Sequence, residues 1–407
     1  MNFFQTFVVQ AIEGTTPVPS APSTITASDL ASPAVFTPDT VDVTVVQPAV
    51  SLSGFLSSLT TLSPVSILRI LVGLPSPDGR FIQSQQAVRA GGPILMATVT
   101  NSAAKAGQLV IPPPPQVATQ SGQNISVPIT PGQPFSDVFA FDPFTTEPSM
   151  VSVSIPGFLP TANATLPVNV STPMVFVPNS VTVGAGLQSQ QQFVQLTGSQ
   201  HGGVTIHLES SHPAVLLLSP SATTPNTPSR AIDIPVLNGI TFASYFVQGL
   251  EGMVGSAVIT ASAEGFLDGS GTVNVLPPAV EIVGVDFFSP LSVGSRRSFQ
   301  VRVGIRNFNG SGVSSVQAVR TGGPGLMVMV TNSDASVGQL ETLSGPSQQV
   351  TLTLAAGQSQ SPLGVGAGGV DFVALAPGAT TVQATGVNAM FLPTVGATRR
   401  VDVVPGT

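Results

Sequence analysis

The chain has 407 residues with a net charge of -7, and only 8% of the residues are charged, with no acidic or basic run. An average soluble protein is about 25% charged, so nucleic-acid binding has almost no electrostatic support. The absence of cysteine excludes disulfides and thiolate metal sites. A hydrophobic content of 42%, rich in valine, with a single lysine, Lys105, predicts an all-β protein with frequent turns.

The first 48 residues match the end of a later repeat unit. Val-Val-Gln-Ala-Ile-Glu-Gly at residues 8–14 matches Phe-Val-Gln-Gly-Leu-Glu-Gly at 246–252, and Thr-Ile-Thr-Ala-Ser at 24–28 matches Val-Ile-Thr-Ala-Ser at 258–262. We therefore expect residues 1–48 to be the last three strands of a partial module. Half a sandwich exposes its core and strand edges, so the sequence is predicted to be a fragment of a longer protein. Its N-terminus lacks a basic region typical of a signal peptide.

The next predicted module, residues 49–173, recurs further along the chain at an offset of 231. Gln-Ala-Val-Arg begins the match at residues 86 and 317, and 17 of 24 positions are identical without a gap. A diverged copy between the two, at residues 202–211, gives a period of about 115 residues, which is the size of a domain rather than of a solenoid unit. The sequence thus predicts modules at 49–173, 174–278 and 279–407.

Within the 174–278 module, apolar and polar residues alternate with the period of a strand. Val204, Ile206 and Leu208 share one face, and His207 and Glu209 share the other. Seven to nine short strands separated by Gly, Pro, Asn and Ser favour a two-sheet sandwich. Further strands are predicted at 193–196, 215–218, 231–236, 242–247, 258–261 and 272–276.

The same module resembles the bacterial immunoglobulin-like (Big) domains found in tandem in adhesins and other surface proteins. The resemblance lies in the turn Ser210-Ser211-His212-Pro213-Ala214-Val215, in Ile-Thr-Ala-Ser-Ala-Glu-Gly-Phe at residues 259–266, and in the final Thr-Val-Asn-Val strand. The outer modules replace the turn with Thr-Asn-Ser at 100–102 and 331–333. The resemblance implies tandem immunoglobulin-like β-sandwiches arranged as an extended rod, located extracellularly or at the cell surface, with the signal and anchor outside this chain.

Few residues are candidates for a metal site. His207 and Glu209 share an outward face and are weak candidates, although the sibling modules carry Thr98 and Met329 at the position of His207. Tandem surface domains can also hold calcium at their junctions, for which Glu281 and Asp286, or Asp137 and Asp142, would supply oxygen ligands. No Asp-x-Asp-x-Asp spacing accompanies them. We therefore expect no resident cofactor, with calcium at the junctions as the alternative.

No catalytic motif is present, and the chain is predicted not to be an enzyme. The function predicted is a structural or adhesive stalk segment of a larger secreted or cell-surface bacterial protein. Its partners are the other modules of the same polypeptide, together with an extracellular protein or glycan, and no nucleic acid or direct membrane insertion is expected. The alternatives are a glycan- or protein-binding module, an accessory region of a secreted enzyme, or a fibre in which a neighbouring chain completes the first module.

Overall fold

The computed structural model describes residues 8–11, 22–30, 36–54, 58–224, 228–283, 289–387 and 391–406. The chain divides into two compact units, Met1–Pro173 and Met174–Thr407. Over the described residues it is all-β, and its helices are the three short 3₁₀ turns Ala162–Ala164, Val365–Ala367 and Val395–Ala397. Among these residues no helix has the length and apolar character needed to cross a bilayer.

The first unit contains an N-terminal hairpin followed by a sandwich. In the hairpin, β1 (Ser23–Ala27) pairs antiparallel with β2 (Asp39–Val43), and most of its residues are exposed. The first of the three strands predicted there falls in residues 8–14, of which residues 12–14 lie outside the described residues; residues 8–11 are exposed and belong to no strand. The strands of the first sandwich are β3 (Ala49–Ser53), β4 (Leu59–Thr60), β5 (Ser66–Pro75), β6 (Ile82–Gln85), β7 (Leu95–Asn101), β8 (Gly107–Ile111), β9 (Gln120–Gly122), β10 (Asn124–Ile129), β11 (Phe139–Pro143), β12 (Ser149–Ser154), β13 (Leu159–Pro160), β14 (Thr165–Val168) and β15 (Val170–Ser171).

The first sandwich consists of two sheets around one apolar core. One sheet has the order β13-β3-β5-β11-β8-β9, and the other has the order β10-β7-β12-β14. Alternate residues of both sheets point inward, including the fully buried Leu68, Val99, Phe139 and Phe141. Burial of such side chains contributes about 1.5–3 kcal/mol each.

The second unit begins with the second sandwich. Its strands are β16 (Val175–Phe176), β17 (Val181–Gly184), β18 (Leu187–Gln188), β19 (Gln192–Leu196), β20 (Val204–Ser210), β21 (Leu216–Ser219), β22 (Ala231–Val236), β23 (Phe242–Gly249), β24 (Gly255–Ser262) and β25 (Gly269–Leu276). Seven of these strands, β19 to β25, coincide within a few residues at their ends with those predicted from the sequence, whereas β16, β17 and β18 were not predicted. One sheet has the order β17-β25-β24-β20-β22, and β16, β19, β23 and β21 form the facing sheet.

The third sandwich completes the second unit. Its strands are β26 (Ala279–Val283), β27 (Leu291–Ser292), β28 (Arg296–Arg306), β29 (Val313–Val316), β30 (Ala318–Val319), β31 (Leu326–Asn332), β32 (Gly338–Thr342), β33 (Gly345–Ser347), β34 (Gln349–Leu354), β35 (Val370–Ala374), β36 (Gly378–Gly386) and β37 (Thr398–Val404). Its sheets have the orders β26-β28-β35-β32-β33 and β27-β37-β36-β31-β34. Phe299, Val330 and Phe372 are fully buried between them.

All three sandwiches share one strand order. In the third sandwich the seven main strands, in chain order, are β26, β28, β31, β32, β35, β36 and β37. The first, second, fifth and fourth of them form one sheet (β26-β28-β35-β32), and the seventh, sixth and third form the other (β37-β36-β31). The first (β3-β5-β11-β8 and β14-β12-β7) and the second (β16-β19-β23-β21 and β25-β24-β20) follow the same order. This is the ABED and GFC arrangement of an immunoglobulin-type sandwich. The fold is therefore a series of immunoglobulin-like β-sandwiches.

The Thr-Asn-Ser turns of the first and third sandwiches contain a buried asparagine. The Asn332 amide donates to the carbonyl oxygens of Asp334 (2.8 Å) and Gly338 (2.7 Å), and its oxygen accepts from Thr380 Oγ1 at 2.6 Å. Asn101 donates in the same way to Ala103 and Gly107. In the second sandwich Ser210 occupies this place, and its buried hydroxyl has no hydrogen-bond partner. The buried asparagine thus holds the turn after β7 in the first sandwich and after β31 in the third, whereas the second sandwich has a serine at this position.

Candidate functional site: a buried junction within the second unit

The second and third sandwiches share a strand. The short strand β18 pairs with β23 of its own sandwich through Gln188 and Gln248, and on its other edge it pairs antiparallel with β30. Leu187 is fully buried and belongs to the apolar core of the third sandwich. Residues of one sandwich therefore complete the sheet and the core of the next.

Glycines allow the chain to approach this closely. Gly186 has φ of +77°, which favours glycine, and a Cβ atom there would lie 2.9 Å from a methyl group of Leu326. Its carbonyl oxygen accepts from the Arg320 N–H at 3.1 Å, and its own N–H donates to the Gly249 carbonyl at 2.9 Å. The backbone of residue 186 is thus hydrogen-bonded to both sandwiches.

Gln317 binds the backbone of the second sandwich. Its side chain is buried, its Oε1 accepts from the Gly184 N–H at 2.9 Å, and its Nε2 donates to the Thr182 carbonyl at 2.9 Å. Both groups belong to β17. An amide that satisfies a donor and an acceptor of one strand fixes that strand in register.

Gln248 lies at the centre of the junction and is fully buried. Its Nε2 donates to Gln188 Oε1 at 2.6 Å and to Thr321 Oγ1 at 2.9 Å. Gln188 in turn donates to the Ala222 carbonyl at 3.2 Å. These bonds link β23, β18 and the segment that follows β30.

An ion pair completes the junction. Arg320 Nε donates to Glu251 Oε1 at 2.8 Å, and its Nη2 donates to Oε2 at 2.7 Å, so the pair is bidentate. The two side chains are 10% and 19% exposed. A Cβ atom on Gly323 would lie 2.3 Å from Glu251 Oε1, so the carboxylate packs directly on that glycine. We call Gln188, Gln248, Glu251, Gln317, Arg320 and Thr321 the buried junction.

The chemistry of the buried junction is that of a structural contact. A guanidinium and a carboxylate that hold each other in a bidentate pair leave no group placed as a nucleophile or a general base. Removing one partner of a buried ion pair lowers the stability of the folded protein by about 3–5 kcal/mol, because it leaves an unpaired buried charge. Such a contact holds two sandwiches in one fixed orientation.

His207 and Glu209, the weak metal candidates, lie side by side on the outer face of β20, but His207 contacts a residue of β22 and Glu209 contacts the residue just before that strand. His207 Nδ1 lies 2.7 Å from Asp233 Oδ1, and Glu209 Oε1 lies 2.5 Å from Arg230 Nη2. The two side chains therefore engage separate partners, and the structure does not bring them onto one point. His201 and His212, also in this region, bond to Ile240 and Ser211.

The other predicted ligands are also separated. Glu281 is buried, forms an ion pair with Arg302, and accepts from the Val313 N–H at 3.1 Å. Asp142 accepts from Gln108 at 3.1 Å on the neighbouring strand, and Asp137 is exposed. Asp286 lies outside the described residues. Across the part of the chain that the structure describes, no three His, Asp or Glu side chains are grouped to hold a metal ion.

Phenylalanines form an exposed patch on the second sandwich. Phe176, Phe193 and Phe242 lie on adjacent strands and are 53%, 47% and 56% exposed. The rings of Phe193 and Phe242 meet edge to face with centroids 6.0 Å apart. Large contiguous apolar patches are found at contact surfaces more often than single exposed apolar residues are.

The sequence did not reveal the buried junction, because residues 317–320 stood out only as part of a repeat. A signal was present in the pattern. Gln-x-x-Glu occurs at residues 10–13 and 248–251, and Gln-Ala-Val-Arg occurs at 86–89 and 317–320. The two motifs therefore alternate along the chain, each Gln-x-x-Glu preceding a Gln-Ala-Val-Arg, which is the pattern expected of two complementary faces.

Comparison with known proteins gives structural neighbours only. No family model matches the chain, and no curated protein matches it. Domains 4 and 5 of the S-layer protein SbsC align at 15% identity and a TM-score of 0.25, covering 56% of this chain and 97% of that one. A putative membrane-anchored protein from Corynebacterium diphtheriae aligns at 10% identity and a TM-score of 0.27, covering 94% and 95%. Invasin, a bacterial integrin-binding protein, aligns at 11% identity and a TM-score of 0.21, covering 88% and 60%. All three TM-scores lie below 0.5, so these likenesses give no information on function.

Proposed function

We propose that this chain is a non-catalytic structural segment of a larger extracellular or cell-surface protein, in which residues 174–407 act as one mechanically continuous pair of sandwiches. The observation that carries the proposal is the buried junction. Two sandwiches joined only by the linker at 277–279 would be free to bend, whereas a shared strand and a buried ion pair oppose bending. A structural segment needs this property to keep a binding domain at a fixed distance from its attachment point.

Other features of the described residues support a structural role. Two depressions on the third sandwich are lined by residues such as Gln300, Thr353, Ser361, Thr342 and Pro346, and neither lining contains a titratable side chain. An active site of the usual kind joins a concave pocket to polar or titratable groups with perturbed pKa values. Among the described acidic residues, Glu209, Glu251, Glu281, Glu341 and Asp402 pair with arginine.

The proposal is tested by calorimetry on Glu251→Gln, with Glu209→Gln as the matched control. Glu251 forms the buried pair, whereas Glu209 pairs with Arg230 at a surface site where the arginine side chain is 66% exposed. We expect the second and third sandwiches of the wild-type chain to unfold in one transition. Glu251→Gln should separate that transition into two, and Glu209→Gln should change it by less than about 0.5 kcal/mol. Two separate transitions in the wild type would refute the proposal.

The extended rod predicted from the sequence remains a prediction. Small-angle scattering of the chain measures its maximum dimension directly. A compact particle would exclude the rod but would leave the rigid pair of residues 174–407 intact, because the two statements concern different parts of the chain.

A second candidate function is the binding of an extracellular protein by the exposed phenylalanine patch. Beads coated with the chain and applied to a cell monolayer would test it, with Phe193→Ser/Phe242→Ser as the variant. Loss of adhesion with an unchanged unfolding profile would support binding through the patch. Equal adhesion by both proteins, or none by either, would reject it.

A further inference from the structure

The edge strand beside the third main strand differs among the three sandwiches. This strand is β10 in the first, β22 in the second and β34 in the third, and each pairs antiparallel with its neighbour over six residues. The fifth residue is Pro128 in β10 and Pro235 in β22, but Thr353 in β34. Proline has no N–H to donate, so on an edge strand it hinders the addition of a further strand. The third sandwich lacks this barrier.

Hydrogen bonds show which backbone groups of β34 face the open side of the sheet. Just before the strand, the Asn332 N–H donates to the Gln348 carbonyl at 2.9 Å. Residue pairs of an antiparallel ladder alternate between hydrogen-bonded and non-hydrogen-bonded. The N–H and C=O groups of Gln349, Thr351 and Thr353 therefore point away from the sheet, and the residues between them bond to β31.

On the two sibling strands the same side is blocked. The Asn101 N–H donates to the Gln123 carbonyl at 2.8 Å, and the Ser210 N–H donates to the Arg230 carbonyl at 2.9 Å. These bonds precede β10 and β22 in the same way, so both prolines lie at outward positions. In β22 the outward position before the proline is Asp233, and a charge on an edge strand also opposes pairing.

The outward groups of Thr351 and Thr353 are open. Both residues are exposed, and no described residue hydrogen-bonds to the backbone N–H and C=O groups that they turn outward. The outward groups of Gln349 are already bonded to Ser347, whose Oγ accepts from the N–H at 3.2 Å and donates to the C=O at 2.8 Å. The open part of the edge therefore consists of the donors and acceptors of Thr351 and Thr353, with Leu352 at its centre.

Shape and charge also suit a second strand. Two depressions of the third sandwich lie along β34, one lined in part by residues 349–352 and the other in part by Thr353 and Leu354. No charged residue occurs between Glu341 and Asp371. Two copies of this edge therefore meet without like charges opposite each other, which would destabilise a strand pair. The same absence of charge gives an oppositely charged partner no advantage.

We propose that β34 is a docking edge for the β34 strand of a second copy of this chain, paired antiparallel about Leu352. In this register Thr351 of each copy forms a hydrogen-bonded pair with Thr353 of the other, which satisfies the open groups of both. A shift by two residues would instead place Gln349, which is already bonded, opposite Thr353. The two five-stranded sheets become one continuous sheet. Donors and acceptors placed symmetrically about a centre are complementary to themselves, as a twofold interface requires.

Such a dimer goes beyond the structural role proposed above, and it does not depend on the buried junction, which contains no residue of β34. One pair of six-residue strands buries less than the about 1,200 Å² at which stable interfaces begin. We therefore expect a weak dimer whose population rises with protein concentration.

Sedimentation equilibrium over a concentration series compares the wild-type chain with Thr353→Pro, which introduces the residue that β10 and β22 carry at this place. Because no described residue accepts from the Thr353 N–H, the substitution removes no hydrogen bond of the fold. We expect the wild type to dimerise and Thr353→Pro to remain monomeric with an unchanged melting temperature. Thr353→Val keeps the N–H and should associate like the wild type. Equal association by Thr353→Pro would show that another surface is used and would overturn the inference.

Cross-linking tests the register without proline. The chain has no cysteine, so Thr351→Cys and Thr353→Cys are prepared as separate proteins and mixed. A hydrogen-bonded antiparallel pair has Cα atoms about 5.5 Å apart, within the range of a disulfide, whereas either variant alone places its two thiols on a diagonal of about 7–8 Å. We expect the mixed disulfide to form at least about tenfold faster than either self-pair. Equal rates, together with a wild type that stays monomeric, would overturn the inference and leave this edge to a strand of a different protein.

Discussion

Residues 86–89 and 317–320 have the same sequence, Gln-Ala-Val-Arg, and opposite environments. In the third sandwich the glutamine and arginine are buried against a neighbour, and in the first the glutamine is exposed and the arginine half-buried. Their backbones make the same hydrogen bonds to their own sandwiches. The sequence of the segment thus determines its backbone conformation, while the neighbouring sandwich determines how deeply its side chains are buried and how much they contribute to stability.

The largest effect expected from this difference concerns the two arginines. Arg320→Ala removes one partner of a bidentate buried pair and leaves Glu251 without its counter-charge, which should cost about 3–5 kcal/mol. Arg89→Ala should cost less than about 1 kcal/mol, because its side chain keeps access to water. Guanidinium unfolding measures the first through fluorescence of Tyr245, the only tyrosine in a chain without tryptophan, and circular dichroism measures the second. Similar losses for the two variants would contradict the distinction.

Tyr245 offers a comparison between the cores of the first and second sandwiches. Tyr245 on β23 and Phe139 on β11 occupy equivalent positions. Tyr245 lies four residues before Gly249, which pairs with Leu216, and Phe139 lies four residues before Pro143, which pairs with Gly107. Both aromatic side chains are fully buried, but the Tyr245 hydroxyl has no hydrogen-bond partner. Burial therefore raises its pKa to about 12 from 10.0.

This shift predicts a loss of stability in alkali. Between pH 10 and pH 12 the unfolded chain has released the tyrosine proton while the folded chain retains it, so stability is full below pH 10 and falls as the pH rises. Two pKa units correspond to about 3 kcal/mol. Tyr245→Phe should remove this contribution and, by eliminating an unpaired buried hydroxyl, raise stability at pH 7 by about 1 kcal/mol. Urea unfolding at several pH values tests both, and an equal alkaline loss in the variant would refute the assignment to Tyr245.

The two glutamines give a smaller difference. Gln317→Ala leaves the Gly184 N–H and the Thr182 carbonyl without their partners in a buried site, which should cost about 2 kcal/mol. Gln86→Ala changes an exposed side chain and should alter stability by less than about 0.5 kcal/mol. Denaturant midpoints of the two variants measure the difference. If Gln86→Ala proved as costly, residues 86–89 would already be covered in this chain.

The strands were predictable from the sequence, and the buried junction was not. Alternation in Val204-Thr205-Ile206-His207-Leu208 predicted β20, and the repeats placed the equivalent strands of the outer sandwiches. Both signals are local, because strand pairing and inward burial follow from a period of two. Leu187 also reads as an ordinary core residue, yet its core belongs to the next sandwich. A contact between sandwiches depends on residues far apart in the chain. The one sign of it in the sequence is that the Gln-x-x-Glu and Gln-Ala-Val-Arg motifs alternate along the chain.

The smallest effect is expected on the outer face of β20, at the residues predicted as weak metal ligands. Corresponding places on β7 and β31 carry Thr98 and Met329, so His207 has no counterpart in the sibling sandwiches. It lies against Asp233, and the two side chains are 48% and 68% exposed. Because a pair so open to solvent contributes little, His207→Ala should change stability by less than about 0.5 kcal/mol, and zinc should leave the melting temperature of the wild type unchanged. A zinc-dependent rise in the wild type that His207→Ala abolishes would instead establish a metal site on this sandwich alone, and the second sandwich would then differ from its siblings in function as well as in position.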